Sequence, residues 1–434
     1  MYNKLNKYLF ILLFIGCFIG GFVKNFIGLP RSLPATIPLI FITFYAYYVY
    51  LYKNIFTISR TTFLFAIFIV SVFIIFIVDR NPILERVLGI RNFIFYIDIF
   101  IVTYILFSNK NNYIKSLIKI LGFIFFTVSL FGIIQVVFGK YLPISLLTIK
   151  GTSIFGFYGT DIIRPTALIG NTIEFAGVAL MSFVYYYLKY FLEKRRDLFT
   201  SVALIVSAYA VIISYSRAAL VGMVIIVVLF NFIKDKKYGF VTKSSAVLYG
   251  ILVIFIIFFI FSGSFLTDRF IHPDPSTLGS NVVHYKQTIS AIQHIITYPL
   301  TGVGIGTQGP SANGNLIIIT DGFLFQLLLE YGVIVGCIYF LFIIYIVRYI
   351  YKNINIKFMN FPSFFSVISL ISFHILGIIN SSYMFSSVLI ILWFFVGASL
   401  VEIRRYKGSS LFQVRRGKIQ PSPKIIAMRL RVDR

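Results

Sequence analysis

The sequence predicts an all-α, polytopic integral membrane protein with about twelve transmembrane helices. Of its 434 residues, 59% are hydrophobic and only 12% are charged, and the mean hydropathy is +0.92. A soluble domain of this size needs more charge to cover its surface. Because backbone polar groups must pair with one another in lipid, apolar runs of about 20 residues indicate spanning helices rather than the alternating strands of a barrel.

Twelve apolar runs define the predicted spans. They lie at 8–23, 33–52, 61–78, 92–107, 116–138, 172–192, 199–213, 218–233, 245–262, 321–347, 362–379 and 382–401. The first run follows a basic start, as in a signal peptide, but it continues to Val23 and many spans follow, so we expect an uncleaved first helix. We expect no internal repeat and no paired broken helices of the kind that transporters show.

Basic residues set the predicted orientation. Lys and Arg cluster in every second short loop. If the chain has twelve spans, all of these loops lie on the same side of the membrane. The positive-inside rule then places both termini in the cytoplasm. This bias accounts for the formal charge of +25 without a nucleic acid partner, and membrane lipids are the expected surroundings. Cys17 and Cys337 lie in apolar runs, so we expect neither a disulfide nor a metal site.

The chain is predicted to form one polytopic domain over 1–401, followed by a basic cytoplasmic tail over 402–434. Two segments, 139–171 and 263–320, are too long and too polar to be simple turns, and both lie on the predicted outer side. Long loops without a span are uncommon unless they are functional. The sequence therefore predicts that any chemistry faces outward.

The second long segment, between the ninth and tenth spans, contains a candidate amphipathic helix. Ile289, Ile292 and Ile296 recur at helical spacing, which is typical of a helix lying on the outer leaflet. Glycines at alternate positions follow, in the sequence PLTGVGIGTQ, and favour a tight turn. No Rossmann pattern surrounds them, so a dinucleotide site is not expected.

Two arginines are candidate phosphate ligands. Arg164 precedes the sixth span and Arg217 begins the eighth, both on the predicted outer side. Each is either an interface residue that reaches toward water or a clamp for phosphate, since guanidinium offers phosphate oxygens a planar pair of donors. Ser214 and Ser216 flank the turn before Arg217 and would add hydroxyl donors.

The candidate acids and bases are few. His284 is the candidate general base, against an exposed interface histidine. Asp321, at the start of the tenth span, is either a helix cap or a base. Glu330 lies deeper in the same span and must face the bundle interior, as a structural partner or as part of the site. Asp98 lies within the fourth span and needs a partner.

These residues belong to an ordered set of motifs. After Arg164 come SYSR at 214–217, a histidine at 284, PLTGVGIGT at 299–307 and DGFLFQLLLEYG at 321–332. Over about residues 150–345 the chain resembles the bacterial O-antigen and capsular polysaccharide polymerases of the Wzy type, and their relatives the O-antigen ligases. No single motif is very specific, whereas the ordered set with the hydropathy profile is moderately specific.

The resemblance implies an enzyme that joins oligosaccharide repeat units carried on undecaprenyl pyrophosphate, which is the leaving group. It implies a glycosyltransferase site on the outer face, no cofactor, no nucleotide sugar and no metal, and a chain-length regulator as a partner. It implies that His284 or Asp321 accepts the proton of the attacking hydroxyl. The expected pyrophosphate ligands are basic residues of the outer side, namely Arg164, Arg217, Lys286 and Arg269.

Departures from the family pattern leave alternatives open. The ligases carry a His-Asn pair where this chain has Thr320-Asp321, which favours a polymerase. Many ligase-like members carry an arginine in place of His284, so this histidine is either a base or a phosphate ligand. The alternatives are an O-antigen ligase and a flippase or transporter of lipid-linked sugars. A flippase would concentrate charge within its spans, whereas this chain has it mainly in outer loops.

Overall fold

A computed structural model describes most of the chain. The described residues are 2–53, 60–108, 111–143, 146, 163–238, 275–308, 322–354, 361–378 and 385–417. Thirteen α-helices of at least eight residues lie within them. They are α1 (Tyr2–Phe18), α2 (Leu33–Lys53), α3 (Arg60–Val78), α4 (Ile83–Ile90), α5 (Ile99–Phe107), α6 (Asn111–Phe138), α7 (Thr172–Phe191), α8 (Leu198–Ile213), α9 (Arg217–Tyr238), α10 (Pro275–Thr297), α11 (Phe323–Lys352), α12 (Phe361–Leu376) and α13 (Ser386–Gly417).

The helices support a polytopic membrane protein, with fewer clear spans than predicted. Six described helices are long and apolar enough to cross a bilayer, and two bent pairs raise the number to eight. α8 and α12 are apolar but shorter, while Glu174 and three successive tyrosines make α7 more polar than a typical span. The predicted ninth span, 245–262, lies outside the described residues. Twelve spans therefore remains a prediction.

The first predicted span is bent rather than continuous. Leu5–Phe18 and Gly20–Ile27 meet at 63°. Gly21 lies at the bend, where a side chain would meet the backbone of Gly170, and its N–H donates to the Leu168 carbonyl at 2.9 Å. This span is therefore broken near Gly21, where the loop before α7 packs against it.

The fourth predicted span is bent too. Ile83–Phe95 and Ile99–Phe107 meet at 47°, and Asp98 lies at the break. The hydroxyl of Tyr47 on α2 donates to the Asp98 carboxylate at 2.9 Å, and Asp98 is buried. The predicted need of this acid for a partner is thus confirmed.

Ring contacts show that neighbouring helices are antiparallel. Between α3 and α11, the ring of Phe65 lies 5.4 Å from that of Phe342, and the ring of Phe68 lies 5.5 Å from that of Tyr339. Residues later in α3 therefore contact residues earlier in α11, as expected for antiparallel helices. The end of α3 and the beginning of α11 consequently lie at the same end of the bundle.

The other helices share this end. Gly222, in the second turn of α9, lies against Leu376, the last residue of α12, and the Leu324 N–H at the start of α11 donates to the Gly377 carbonyl. Glu174 at the start of α7 accepts from Ser387 at the start of α13. We call this the upper end: α3, α6, α8 and α12 finish here, and α7, α9, α11 and α13 begin here. It is the end that the loop charges predict to face outward.

Candidate functional site

Arg217 lies at the upper end, in the first turn of α9. A tight turn precedes it, in which Tyr215 has a positive φ of 52°, a conformation rare for a bulky residue. Ser214 Oγ donates to the Val211 carbonyl at 2.7 Å, and Ser216 Oγ accepts from the Ala219 N–H at 3.3 Å. Ser216 thus caps α9. Both serines shape the turn that presents Arg217, and strain of this kind is typical of functional sites.

Arg164 lies at the same end, in the loop that leads into α7. Gln135 on α6 holds this loop, because its Oε1 accepts from the backbone N–H groups of Thr166 at 3.0 Å and Ala167 at 2.7 Å. Ala167 has a positive φ of 47°, so this arginine too lies beside a strained turn. Burial lowers the pKa of the Arg164 guanidinium from its ordinary value, yet arginine stays protonated in proteins.

The glycine loop, residues 299–308, docks onto the turn between α3 and α4. Asp79 Oδ2 accepts from the Ile305 N–H at 2.6 Å, and its Oδ1 accepts from the Asn81 N–H at 2.9 Å. A side chain at Gly304 would meet Asp79 and Asn81, and one at Gly306 would meet the Glu85 carbonyl. The close backbone approach explains the alternate glycines of the motif.

Glu330 holds the other side of the glycine loop. The Gln308 N–H donates to Glu330 Oε1 at 2.8 Å, and the Gly306 backbone donates to the same carboxylate. Glu330 is 2% exposed. Two residues later, Gly332 breaks α11 with a φ of 77°, and a side chain there would meet the Leu300 carbonyl. Glu330 therefore faces the interior as predicted, and it acts there as a structural partner of the loop.

α10 occupies the segment in which an amphipathic helix is predicted. Ala291 faces the protein and is fully buried, whereas apolar side chains spaced along the other face are exposed. Those side chains are Val282, Tyr285, Ile289, Ile292 and Ile296. Such an exposed apolar stripe suits a helix lying in the interface of a bilayer. Lys286 is exposed on this helix.

The structure brings together only part of the predicted site. Arg164, Arg217 and Glu330 all lie at the upper end. His284 lies on α10, and the structure describes its backbone only. α11 begins after Gly322, which occupies its N-cap position. Asp321 and Arg269 lie outside the described residues.

A cleft of about 570 Å³ lies beside the glycine loop. Asp79, Arg80 and Asn81 line one wall, and His294 and Tyr298 line the other. This volume is in the range of small-molecule sites, and a lining of both polar and apolar groups suits a sugar. Sequence reasoning missed Asp79, although a run of polar residues between two apolar spans, DRN at 79–81, was a usable signal.

A second cavity at the upper end, of about 360 Å³, is lined by charged residues that sequence reasoning also missed: Lys24, Arg31, Arg91 and Glu174. Among the residues that the structure describes, no group of three or more His, Cys, Asp or Glu side chains could hold a metal ion.

The fold and the site define a class: a polytopic α-helical membrane protein whose arginines and polar clefts gather at one end of the bundle. Comparison with known families agrees with this class. Residues 202–341, which include Arg217, α10, the glycine loop and Glu330, match a family described as O-antigen ligase. The match supports the O-antigen ligase and polymerase superfamily and does not single out polymerases. No curated protein matches the chain.

Proposed function

We propose that this chain is a polysaccharide polymerase, which joins oligosaccharide repeat units carried on undecaprenyl pyrophosphate at the outer face of the bacterial inner membrane. The observation that carries the proposal is the position of Arg217. It lies inside the segment that matches the O-antigen ligase family, at the first turn of α9, at the same end of the bundle as Arg164 and the two polar clefts.

The proposed reaction is a glycosyl transfer. A hydroxyl oxygen of the acceptor sugar attacks the anomeric carbon of the donor sugar and forms the new glycosidic bond. The bond from that carbon to the phosphate oxygen breaks, and undecaprenyl pyrophosphate leaves with the electron pair. The hydroxyl proton passes to a base, for which His284 and Asp321 are the candidates.

Arg164 and Arg217 are proposed to stabilise the departing pyrophosphate. Negative charge grows on the bridging oxygen as the bond breaks, so donors already fixed in place lower the barrier. Hydrogen bonds support this role: Gln135 fixes the loop beside Arg164, and Ser214 and Ser216 fix the turn before Arg217. Lys286 and Arg269 are proposed as further contacts to the phosphates, from the segment 263–320.

The cleft beside the glycine loop is proposed to bind sugar. Tyr298 is half exposed there, and an exposed aromatic ring can stack on the apolar face of a sugar. Asp79 and Glu330 hold the loop from opposite sides, so the shape of the cleft depends on both acids.

An O-antigen ligase is the second candidate, because the matched family bears that description. A ligase transfers the same kind of donor to a different acceptor, so the family match fits both. The Thr320-Asp321 pair, in place of the His-Asn pair of ligases, favours the polymerase. The bent helices weaken one argument against a transporter, but the charges at the upper end still favour an enzyme.

Purified full-length protein with a synthetic undecaprenyl-pyrophosphate-linked repeat unit tests the proposal. A polymerase makes a ladder of lipid-linked products from this single substrate. We expect Arg164→Ala and Arg217→Ala each to slow the ladder by about 10²- to 10³-fold, the usual loss for a removed transition-state donor. Lys140→Ala, an exposed cation at the same end, is the matched control. Transfer only to an added surface glycolipid would identify a ligase, and no new glycosidic bond would overturn the proposal.

A further inference from the structure

The second cavity is formed where distant parts of the chain meet at the upper end. Its walls come from the bend after α1, the beginning of α2, the turn after α4, the loop before α7 and the beginning of α13. Its volume, about 360 Å³, is far above the roughly 15 Å³ that one water needs. It is of the size that ordinary ligand sites have.

The charges that line this cavity are unbalanced. Among the described residues that line it, Lys24, Arg31 and Arg91 supply three cations and Glu174 supplies one carboxylate, so this part of the lining has a net charge of +2. The imbalance lies at the upper end, where the positive-inside rule predicts few cations. Cations on the side of the membrane where this rule predicts few are candidate functional residues.

Glu174 forms an ion pair with Arg31. Its Oε2 lies 3.4 Å from Arg31 Nη2, and its Oε1 accepts from Ser387 Oγ at 2.5 Å. The Arg31 guanidinium also lies 5.6 Å from the centre of the Phe385 ring. Arg31 is thus held in place between an acid and an aromatic face, as a pre-formed planar donor pair.

The surroundings of Lys24 indicate that the anion is carried by a lipid. Phe22 and Phe26 lie on the other face of the short helix that carries Lys24; their rings stack with centroids 4.5 Å apart, and they are 42% and 51% exposed. Ile27 and Leu29 continue this exposed apolar surface. A short helix with a cation on one face and exposed apolar side chains on the other suits the boundary between acyl chains and headgroups.

From this arrangement we infer that the cavity lined by Lys24, Arg31 and Arg91 binds the phosphate-bearing headgroup of a membrane lipid. Lysine and arginine are the side chains that bind phosphate oxygens, and two or more of them on one headgroup give a specific site. The shared chemistry is a lipid phosphate, borne either by an isoprenoid diphosphate or by an anionic phospholipid. The inference does not depend on the proposed glycosyl transfer.

Native mass spectrometry of the full-length protein in detergent tests the inference. Undecaprenyl pyrophosphate and phosphatidylglycerol are added separately, and the bound fraction is measured against lipid concentration. We expect Lys24→Gln and Arg91→Gln to weaken binding of at least one lipid about ten-fold, the usual effect of losing one hydrogen bond to a charged group. The lipid that responds identifies the source of the phosphate.

Lys140→Gln is the matched control, because it removes the same charge from the same end of the bundle but does not line the cavity. We expect its binding curves to equal those of the unmodified protein. Equal curves for Lys24→Gln and Lys140→Gln with both lipids, or no binding of either lipid by the unmodified protein, would overturn the inference. If Arg91→Gln does not fold, the half-buried Lys24 alone decides the test.

Discussion

The glycine loop and the cavity at the bend of α1 lie at the same end of the bundle but differ in how their charges are used. Around the glycine loop, Asp79 and Glu330 accept backbone N–H groups and so hold the chain. The described lining of the cavity has three cations and one carboxylate. The acids beside the loop stabilise its conformation, whereas the excess of cations in the cavity lining suits an anionic ligand.

The difference shows that a recognisable motif need not mark the chemistry. The glycines and Glu330 form the most regular pattern in the sequence, yet the glycines allow close packing against the turn between α3 and α4, and Glu330 accepts backbone N–H groups. Lys24, Arg31 and Arg91 form no motif, and Arg91 is far from the other two in sequence, yet all three line one cavity. Substitutions at the loop should therefore act through stability and through the shape of the adjoining cleft, whereas substitutions at the cavity should change lipid binding directly.

The largest effect is expected for Gly306→Ala. Gly306 has a φ of 81°, and an added methyl group would meet the Glu85 carbonyl. The backbone must move to relieve this contact, and we expect a loss of about 3 kcal/mol or more, as for other overpacked sites. Thermal unfolding of the purified protein and the yield of monodisperse protein measure the loss.

Gly28→Ala is the matched control for this substitution. Gly28 has the same φ of 81°, but an added methyl group there meets no atom within 4 Å. It should cost only the roughly 1 kcal/mol of a left-handed conformation. Equal losses at Gly28 and Gly306 would show that conformation, and not close approach, explains the motif.

The next largest effect is expected for Glu330→Ala. This change removes the acceptor of the buried Gln308 N–H, and an unsatisfied buried donor costs about 1–3 kcal/mol. Glu330→Gln keeps a carbonyl oxygen in the same place, so it should restore most of the stability and most of the transfer activity. Loss of activity in a stable Glu330→Gln protein would show that the carboxylate takes part in the chemistry.

A smaller loss is expected for Asp79→Ala. Asp79 accepts from Ile305 and Asn81, but it is only partly buried, so water can replace part of both bonds. We expect about 1 kcal/mol. The loop should also become more accessible, which amide hydrogen exchange of residues 299–308 measures. Unchanged exchange would show that Glu330 alone fixes the loop.

The sequence predicted the helical membrane class, because hydropathy is a local property, and it placed Arg164 and Arg217 on one side, in agreement with their position at the same end of the bundle. It also predicted that Glu330 faces inward, since an acid at that depth needs a partner. It did not predict the partner of Asp79, because the bond to Ile305 joins residues 226 positions apart. The bends escaped prediction for the same reason: Gly21 bends against a loop near Gly170, which only the fold brings near.

The smallest effect is expected for Glu174→Gln. It gives the most direct comparison of the two regions, because Glu330→Gln makes the same substitution beside the glycine loop. Removing the carboxylate raises the net charge of the cavity and releases Arg31 from its ion pair. At the effective dielectric of a partly wet site we expect lipid phosphate to bind about two- to five-fold more tightly. Ser387 can still donate to the amide oxygen, so the beginning of α13 should stay in place. Native mass spectrometry measures both variants, and Glu330→Gln should leave binding unchanged. Weaker binding by a folded Glu174→Gln protein would mean that Glu174 serves mainly to position Arg31, and that the excess of positive charge does not govern the cavity.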